Sequence, residues 1–123
     1  FKKYFKELKS YPITLQQTSK YNYKHAYHLF LFVFDHKKFK IKNIRDKFLQ
    51  FLNNKSIGGG VHYRSVTSMT NFKNLFKWNK NTCPIAKQIG ENIVSLPLYP
   101  GLTQKEQNYI IKNVKIFMEM YKK

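Results

Sequence analysis

The sequence has few of the residues that build a metal centre, a disulfide framework or a membrane span. It contains one cysteine, Cys83, which excludes an internal disulfide and a four-cysteine zinc site. Its longest apolar run, Leu29 to Phe34, is far shorter than the roughly 20 residues that a membrane helix needs. The charged start, FKKYFKELKS, has no apolar centre and does not resemble a secretion signal. We therefore expect no membrane partner.

Arginine and acidic residues are also scarce, whereas lysine is abundant. The 23 basic residues are 21 lysines and two arginines, and with six acidic residues they give a formal net charge of +17. Such a charge attracts polyanions such as nucleic acid. However, the lysines are spread along the chain, and arginine, the residue typical of bidentate base contacts, is almost absent. A coding bias toward AT-rich codons explains the lysines as well as selection for basicity does. A free-standing basic module that binds nucleic acid is kept as the alternative interpretation.

Large apolar side chains are plentiful. Apolar residues make up 42% of the 123 residues and aromatic residues 17%, which is enough for the core of one domain. The clearest element lies at the C-terminal end, where Thr103 and Glu106 form a T-x-x-E capping box. Apolar residues follow at helical spacing as far as Tyr121. This pattern predicts a helix from Thr103 to about Tyr121.

Other segments give shorter signals. The run HAYHLFLFVFD, residues 25–35, predicts a strand that is buried on both faces. Residues 43–55 predict an amphipathic helix that Asn43 could cap. The remaining predictions are a short helix at 84–89, a strand at 93–96, a short strand or extended segment at 61–63, a loop at 14–24, and an irregular stretch at 64–82 with one helical turn around 72–76.

The first residues carry an incomplete helical pattern. Residues 1–9 have apolar side chains at helical spacing but no cap before them, and Pro12 ends the pattern. They predict either the end of a helix that begins in a preceding domain or a short helix of this domain. Together, the elements predict a single domain over 1–123, of α+β class, with a small sheet and helices on one side.

The side chains best suited to chemistry follow a run of three glycines. Gly58 to Gly60 allow positive φ and close approach of the backbone, and His62, Tyr63 and Arg64 come directly after them. The run lacks both the dinucleotide fingerprint and the P-loop lysine, and an ordinary hairpin or loop remains the alternative. No ligand spacing indicates a metal site, and Cys83 lacks a motif that would indicate a nucleophile.

Three blocks, in order and at matching spacing, resemble one family. They are HAYHLFLFVFD, IRDKFLQFLNNKSIGGGVHYRSV and SLPLYPGLTQKEQNYIIKNV. They resemble the C-terminal small domain of the DegT/StrS-type sugar aminotransferases, which depend on pyridoxal phosphate, and most of all the UDP-4-amino-4-deoxy-L-arabinose aminotransferase branch. The resemblance implies an antiparallel sheet of about three strands. It also implies transfer of an amino group from glutamate to a nucleotide-linked keto-sugar, in the cytoplasm, for cell-envelope polysaccharide.

The same resemblance implies which parts are present here and which are not. His62, Tyr63 and Arg64 would bind substrate at the edge of the cleft, and Gly59 stands where the branch has a threonine. The cofactor lysine of such enzymes lies in a large α/β domain, and no segment here resembles its motif. We therefore predict no catalytic and no cofactor-binding residue in this chain. The expected partners are that large domain, in cis or as a separate chain, and a second subunit, and the chain alone is expected to be inactive.

Overall fold

The computed structural model describes residues 1–17, 19–79 and 81–123. Thr18, in the predicted loop, and Lys80, in the predicted irregular stretch, lie outside the described residues. Within these ranges the chain forms five α-helices, two short 3-10 helices and three strands, and the predicted α+β class is confirmed. The helices are α1 (Lys2–Leu8), α2 (Ile44–Asn53), α3 (Thr70–Phe76), α4 (Pro84–Asn92) and α5 (Gln104–Tyr121), and the strands are β1 (Ile13–Leu15), β2 (Phe30–Phe34) and β3 (Ile93–Leu96).

The three strands form an antiparallel sheet in the order β1-β2-β3, with Phe32 opposite both Leu15 and Val94. Along β2, Phe30, Phe32 and Phe34 are buried, while the two residues between them are half-buried. Burial on the core face is thus found within this chain, and burial of the other face, which would need a cover from a helix or another domain, stays a prediction. The strand alternates, as is usual for an antiparallel sheet that has one face on the core.

The strand β2 is also shorter than the predicted segment 25–35. Tyr27 adopts a left-handed backbone conformation with φ 51°, which interrupts an extended chain. Its N–H donates to the Nδ1 atom of His25 over 2.8 Å. The residues before Phe30 consequently lie outside the sheet.

The third strand does not come from the segment that the sequence suggested. Residues 13–15, which lie partly in the predicted loop, pair with β2, and Ile13 lies opposite Phe34. Residues 61–63 form no strand, and next to them only Gly60 makes an isolated bridge, to Ser95. The strand predicted at 93–96 is confirmed as β3.

The core lies between the phenylalanine face of β2 and the helices α1, α2 and α5. Phe48 of α2 is fully buried at its centre. Its ring centroid lies 5.3 Å from that of Phe34 and 5.0 Å from that of Phe117, both edge to face. This arrangement is the one that aromatic quadrupoles favour.

The helices α5 and α2 differ in whether a side chain caps their N-terminus. At α5 the predicted capping box is present, because the Glu106 N–H donates to Thr103 Oγ1 and the Thr103 N–H donates to Glu106 Oε2. At α2, Asn43 occupies the N-cap position in a left-handed conformation, and its side chain makes no capping hydrogen bond. The cap suggested for Asn43 is thus wrong, because a side chain reaches the first turn from an extended N-cap residue.

The helix α1 packs on this domain's own core. Tyr4 and Leu8 are buried, and the Tyr4 hydroxyl donates to the Pro97 carbonyl over 3.0 Å. Burial raises the pKa of the Tyr4 phenol well above its ordinary value. On the outer side, Glu7 Oε2 lies 2.6 Å from Lys115 Nζ of α5.

In the part of the chain that the structure describes, no helix combines the length and apolar character of a membrane span.

Candidate functional site

An open cleft of about 1060 Å³ lies where the glycine run, the end of β3 and the start of α5 meet. Its floor and one wall are largely apolar, with polar groups at a few points. The residues that shape it include Gly58, Gly59, Gly60, His62, Ser95, Leu96, Pro97, Leu98, Tyr99, Thr103, Glu106 and Tyr109. An apolar cleft with a few convergent polar groups is typical of a small-molecule site.

His62 is held in the wall of this cleft by the neighbouring strand. Its Nδ1 atom lies 2.8 Å from the Oγ atom of Ser95. The backbone repeats the connection, since the Gly60 N–H donates to the Ser95 carbonyl over 3.1 Å and the Ser95 N–H donates to the Gly60 carbonyl over 2.9 Å. The imidazole is therefore fixed relative to β3, although no regular strand contains it.

Gly60 is required here by space. A Cβ atom at Gly60 would lie 2.7 Å from His62 Cε1 and 2.8 Å from Ser95 Oγ, which is closer than carbon atoms tolerate. None of the glycines has a positive φ. Of the two properties that the sequence suggested for the glycine run, close approach is therefore the one that operates, whereas at Gly58 an added Cβ would meet nothing within 4 Å.

The structure does not bring Tyr63 and Arg64 into the cleft with His62. The Tyr63 ring packs edge to face on His62, with 5.0 Å between centroids, and is 72% exposed. Arg64 is exposed, and its backbone passes close to α4, where a Cβ on Gly90 would lie 3.2 Å from the Arg64 carbonyl carbon. Neither residue lines the cleft. Their assignment to substrate binding remains a prediction.

Ser95 is the residue of the candidate site that sequence reasoning missed. It is a hydroxyl residue in the apolar strand IVSL and is only 4% exposed. A buried hydroxyl needs a hydrogen-bond partner, so this position carried a usable signal. The partner itself, 33 residues away, is visible only in the fold.

The opposite side of the cleft is the first turn of α5. Glu106 Oε2 accepts hydrogen bonds from the Thr103 hydroxyl over 2.7 Å and from the Thr103 N–H over 2.8 Å. These bonds, the side-chain one first, lower the pKa of the Glu106 carboxyl. The positive end of the helix is consequently occupied by the chain's own carboxylate.

Other kinds of site find no support among the described residues. Within residues 1–17, 19–79 and 81–123, no three histidine, cysteine or acidic side chains come together as metal ligands would. Cys83 is exposed at the start of α4, in a left-handed conformation.

A comparison of the sequence with protein families finds a match over residues 1–115, to the DegT/DnrJ/EryC1/StrS aminotransferase family. The chain belongs to this family. The match covers most of the sequence, including the cleft, His62 and Ser95.

One relative is similar in sequence, and two solved aminotransferases are similar in fold. An uncharacterized protein of Methanocaldococcus jannaschii, MJ1066, is 29% identical over 112 residues, which are 91% of this chain and 28% of that protein. Spr1654 of Streptococcus pneumoniae, assigned as a sugar aminotransferase and solved in apo, PLP and PMP forms, is 24% identical over 97% of this chain, with TM-scores of 0.82 to 0.83. The aminotransferase TlmJ of Streptoalloteichus hindustanus is 14% identical over 97% of the chain, with a TM-score of 0.78.

All three relatives are much longer than this chain. It spans 28% of MJ1066, 29% of Spr1654 and 30% of TlmJ. The antiparallel sheet expected from the family resemblance is confirmed.

The cleft does not by itself fit pyridoxal phosphate. Among the described residues that line it, Lys105 is the one lysine, and its side chain is exposed on the first turn of α5. Lysines that bond to such a cofactor are activated by desolvation or by a neighbouring cation, and Lys105 has no such burial. A phosphate would favour a free helix N-terminus, but Glu106 occupies that of α5.

Proposed function

We propose that this chain is the small domain of a pyridoxal-phosphate-dependent sugar aminotransferase, and that its cleft forms one wall of the substrate site. The observation that carries the proposal is the placement of His62, the histidine of the family-like GVHYR block, in the wall of the apolar cleft. The family match over residues 1–115 supports the reaction class.

The proposed substrate is a nucleotide-linked keto-sugar that receives its amino group from glutamate, as in the UDP-4-amino-4-deoxy-L-arabinose branch. Bound cofactor supplies the chemistry that carries the amino group. This chain's own residues bind and orient the sugar. His62 offers a ring nitrogen to a sugar or phosphate oxygen, while Leu96, Leu98 and Ile110 line the apolar part of the cleft, where they exclude water.

The proposal requires partners that supply what this cleft lacks. A large α/β domain, in cis or as a separate chain, brings the cofactor lysine and the phosphate cradle, and the complete enzyme is a cytoplasmic homodimer. The share of 28% to 30% that the chain spans in its relatives supports a second domain. Tyr63 and Arg64, which do not line the cleft here, would bind substrate only across that domain boundary.

The basic binding module is the less favoured alternative. The family match assigns the lysine-rich chain to an aminotransferase family. A nucleic acid partner is then not required to explain its high net charge. A titration with DNA at two salt concentrations separates the two, since a nucleic-acid site loses affinity steeply as salt rises. DNA binding that is measurable at physiological salt and weakens steeply at the higher salt concentration would favour the alternative.

Substitution of His62 tests the proposed site in the complete protein that contains this chain. We expect His62→Ala to lower kcat/KM for a nucleotide-linked keto-sugar by about a hundredfold, because it removes both a hydrogen bond to the ligand and the group that orients it. Lys87→Ala is the matched control, because Lys87 lies on α4 outside the cleft, 3.8 Å from Glu91. Small and equal effects of the two substitutions would refute the role of His62.

The chain alone should not retain the cofactor covalently. After incubation with pyridoxal phosphate and reduction with borohydride, the folded chain should show no stoichiometric mass increase on any one lysine, because Lys105 is solvated. Circular dichroism confirms folding before the reaction. Stoichiometric labelling of a single lysine would show that this chain holds the cofactor itself.

A further inference from the structure

We infer that Ser95 holds the neutral His62 side chain in the tautomer whose proton is on Nε2, so that the cleft meets an N–H donor and not a basic nitrogen. The inference concerns a hydrogen bond within the chain. It rests on the proposed function only for the identity of the ligand that the donor meets. In these terms Ser95 is a positioning residue, which acts on the substrate through His62.

The geometry leaves the Ser95 hydroxyl one described partner. Ser95 lies in the middle of β3 and is 4% exposed. Its backbone N–H and carbonyl are both bonded to Gly60, and its Oγ atom lies 2.8 Å from His62 Nδ1. Among residues 1–17, 19–79 and 81–123, no other hydrogen bond of this hydroxyl is present.

The direction of that hydrogen bond follows from the proton count. A serine hydroxyl has one proton, and a neutral imidazole has one N–H and one acceptor nitrogen. If Ser95 donates to Nδ1, its proton is used and the ring proton sits on Nε2. If instead Nδ1–H donated to Oγ, the buried hydroxyl proton would be left without a partner, which is the costly arrangement.

The backbone makes this arrangement durable. The hydrogen bonds between Gly60 and Ser95 fix the start of the His62 segment to β3, and a side chain larger than hydrogen at position 60 would enter the space between the imidazole and the hydroxyl. Gly60, two residues before the histidine, and Ser95, in the strand, therefore act together to hold the imidazole. Each is needed for the 2.8 Å contact.

An imidazole in this form binds oxygen acceptors. Its Nε2–H donates to a hydroxyl, carbonyl or phosphate oxygen of a sugar ligand, and it cannot take a proton at that nitrogen. We therefore expect Ser95 to affect substrate binding more than the chemical step. Loss of one hydrogen bond of this kind corresponds to about a tenfold change in KM.

Nitrogen NMR of the complete protein, labelled with ¹⁵N-histidine, tests the tautomer directly. At a pH where histidine side chains are neutral, His62 should give the shifts of a fully Nε2-protonated ring, whereas the exposed His36 gives an average of both forms. In Ser95→Ala, His62 should move toward the averaged position, and in Ser95→Thr, which keeps the hydroxyl, it should return. A wild-type His62 protonated on Nδ1, or one that Ser95→Ala leaves unchanged, would overturn the inference.

Kinetics separates this inference from the proposed function. With a keto-sugar nucleotide, Ser95→Ala should raise KM about tenfold with a smaller change in kcat, and Ser95→Thr should restore most of it. If the NMR result is as expected but neither Ser95→Ala nor His62→Ala alters sugar turnover, the tautomer stands and the aminotransferase role of the cleft fails. If Ser95→Ala lowers kcat at unchanged KM, the donor role is wrong.

Discussion

The helices α5 and α3 both carry phenylalanine, yet the phenylalanine of α5 is buried and those of α3 are exposed. The helix α5 has 18 residues, begins with a capping box and buries seven residues. The helix α3 has seven residues, no side-chain cap and no buried residue. In α5, Phe117 is 1% exposed, whereas in α3 Phe76 is 52% exposed.

The ring geometry follows the same division. Phe117 meets Phe48 edge to face, at 71° between ring planes. Near α3, Phe72, Phe76 and Trp78 lie nearly parallel, with angles of 13° to 25°. Aromatic spacing along a helix thus indicates which face is apolar, but only a facing element decides whether that face is buried. The predictions below test this contrast in order of expected effect.

Truncation of one ring in each helix should give the largest difference. We expect Phe117→Ala to lower the free energy of unfolding by about 3–5 kcal/mol, because it opens a cavity among buried rings. Phe76→Ala, the matched control, should change it by less than about 0.5 kcal/mol. Denaturant unfolding of both variants gives the comparison, and a loss above about 2 kcal/mol for Phe76→Ala would mean that the α3 face is covered in solution.

Removal of the cap should have an intermediate effect. Thr103→Ala takes the acceptor from the Glu106 N–H and the hydroxyl from the Glu106 carboxylate, and we expect it to cost about 1 kcal/mol of stability. Thr70→Ala, in the first turn of the uncapped α3, should leave thermal unfolding nearly unchanged. Similar shifts in Tm for the two variants would show that the capping box is not what distinguishes α5.

The smallest effect concerns the ion pair that ties α1 to α5. The hydrogen bond from Lys115, followed by its charge, lowers the pKa of the Glu7 carboxyl, and the same hydrogen bond raises the pKa of Lys115. A lowered folded-state pKa gives stability that is present above the unfolded pKa and is lost as pH falls through the folded one. Both side chains are about one-third exposed, so solvent screens the pair.

We therefore expect wild type to exceed Glu7→Gln slightly in stability at neutral pH, and the gap to close in acid. Denaturant midpoints measured from neutral pH down to below the ordinary pKa of glutamate check this. Glu91→Gln is the control, since Glu91 pairs with Lys87 at the longer distance of 3.8 Å. A Glu7→Gln gap that persists unchanged at the acid end would have a cause other than the carboxylate charge.

The sequence predicted the elements whose signals are local. The box formed by Thr103 and Glu106 and the apolar period after it place α5 almost to the residue. The strand β3 and the helix α2 were also predicted, although the cap predicted at Asn43 is not formed. These patterns need no knowledge of the rest of the chain.

Elements that depend on distant partners were missed or misplaced. The strand β1 is only three residues long and is defined by its pairing with β2. In the candidate site, resemblance pointed to His62 and the structure places it in the cleft wall, whereas Tyr63, whose ring packs on the His62 ring, does not line the cleft. The hydrogen bond from Ser95 to His62 spans 33 residues, and no local pattern contains it.

The bridge between Gly60 and Ser95 also covers part of one edge of the sheet. Strand β3 lies at one end of the sheet, where unpaired backbone groups invite strands of other molecules. On that side Gly60 occupies the N–H and the carbonyl of Ser95. The Ile93 N–H donates to the Ile89 carbonyl of α4. The residues that place the histidine therefore also occupy backbone hydrogen-bonding groups at this edge of the sheet.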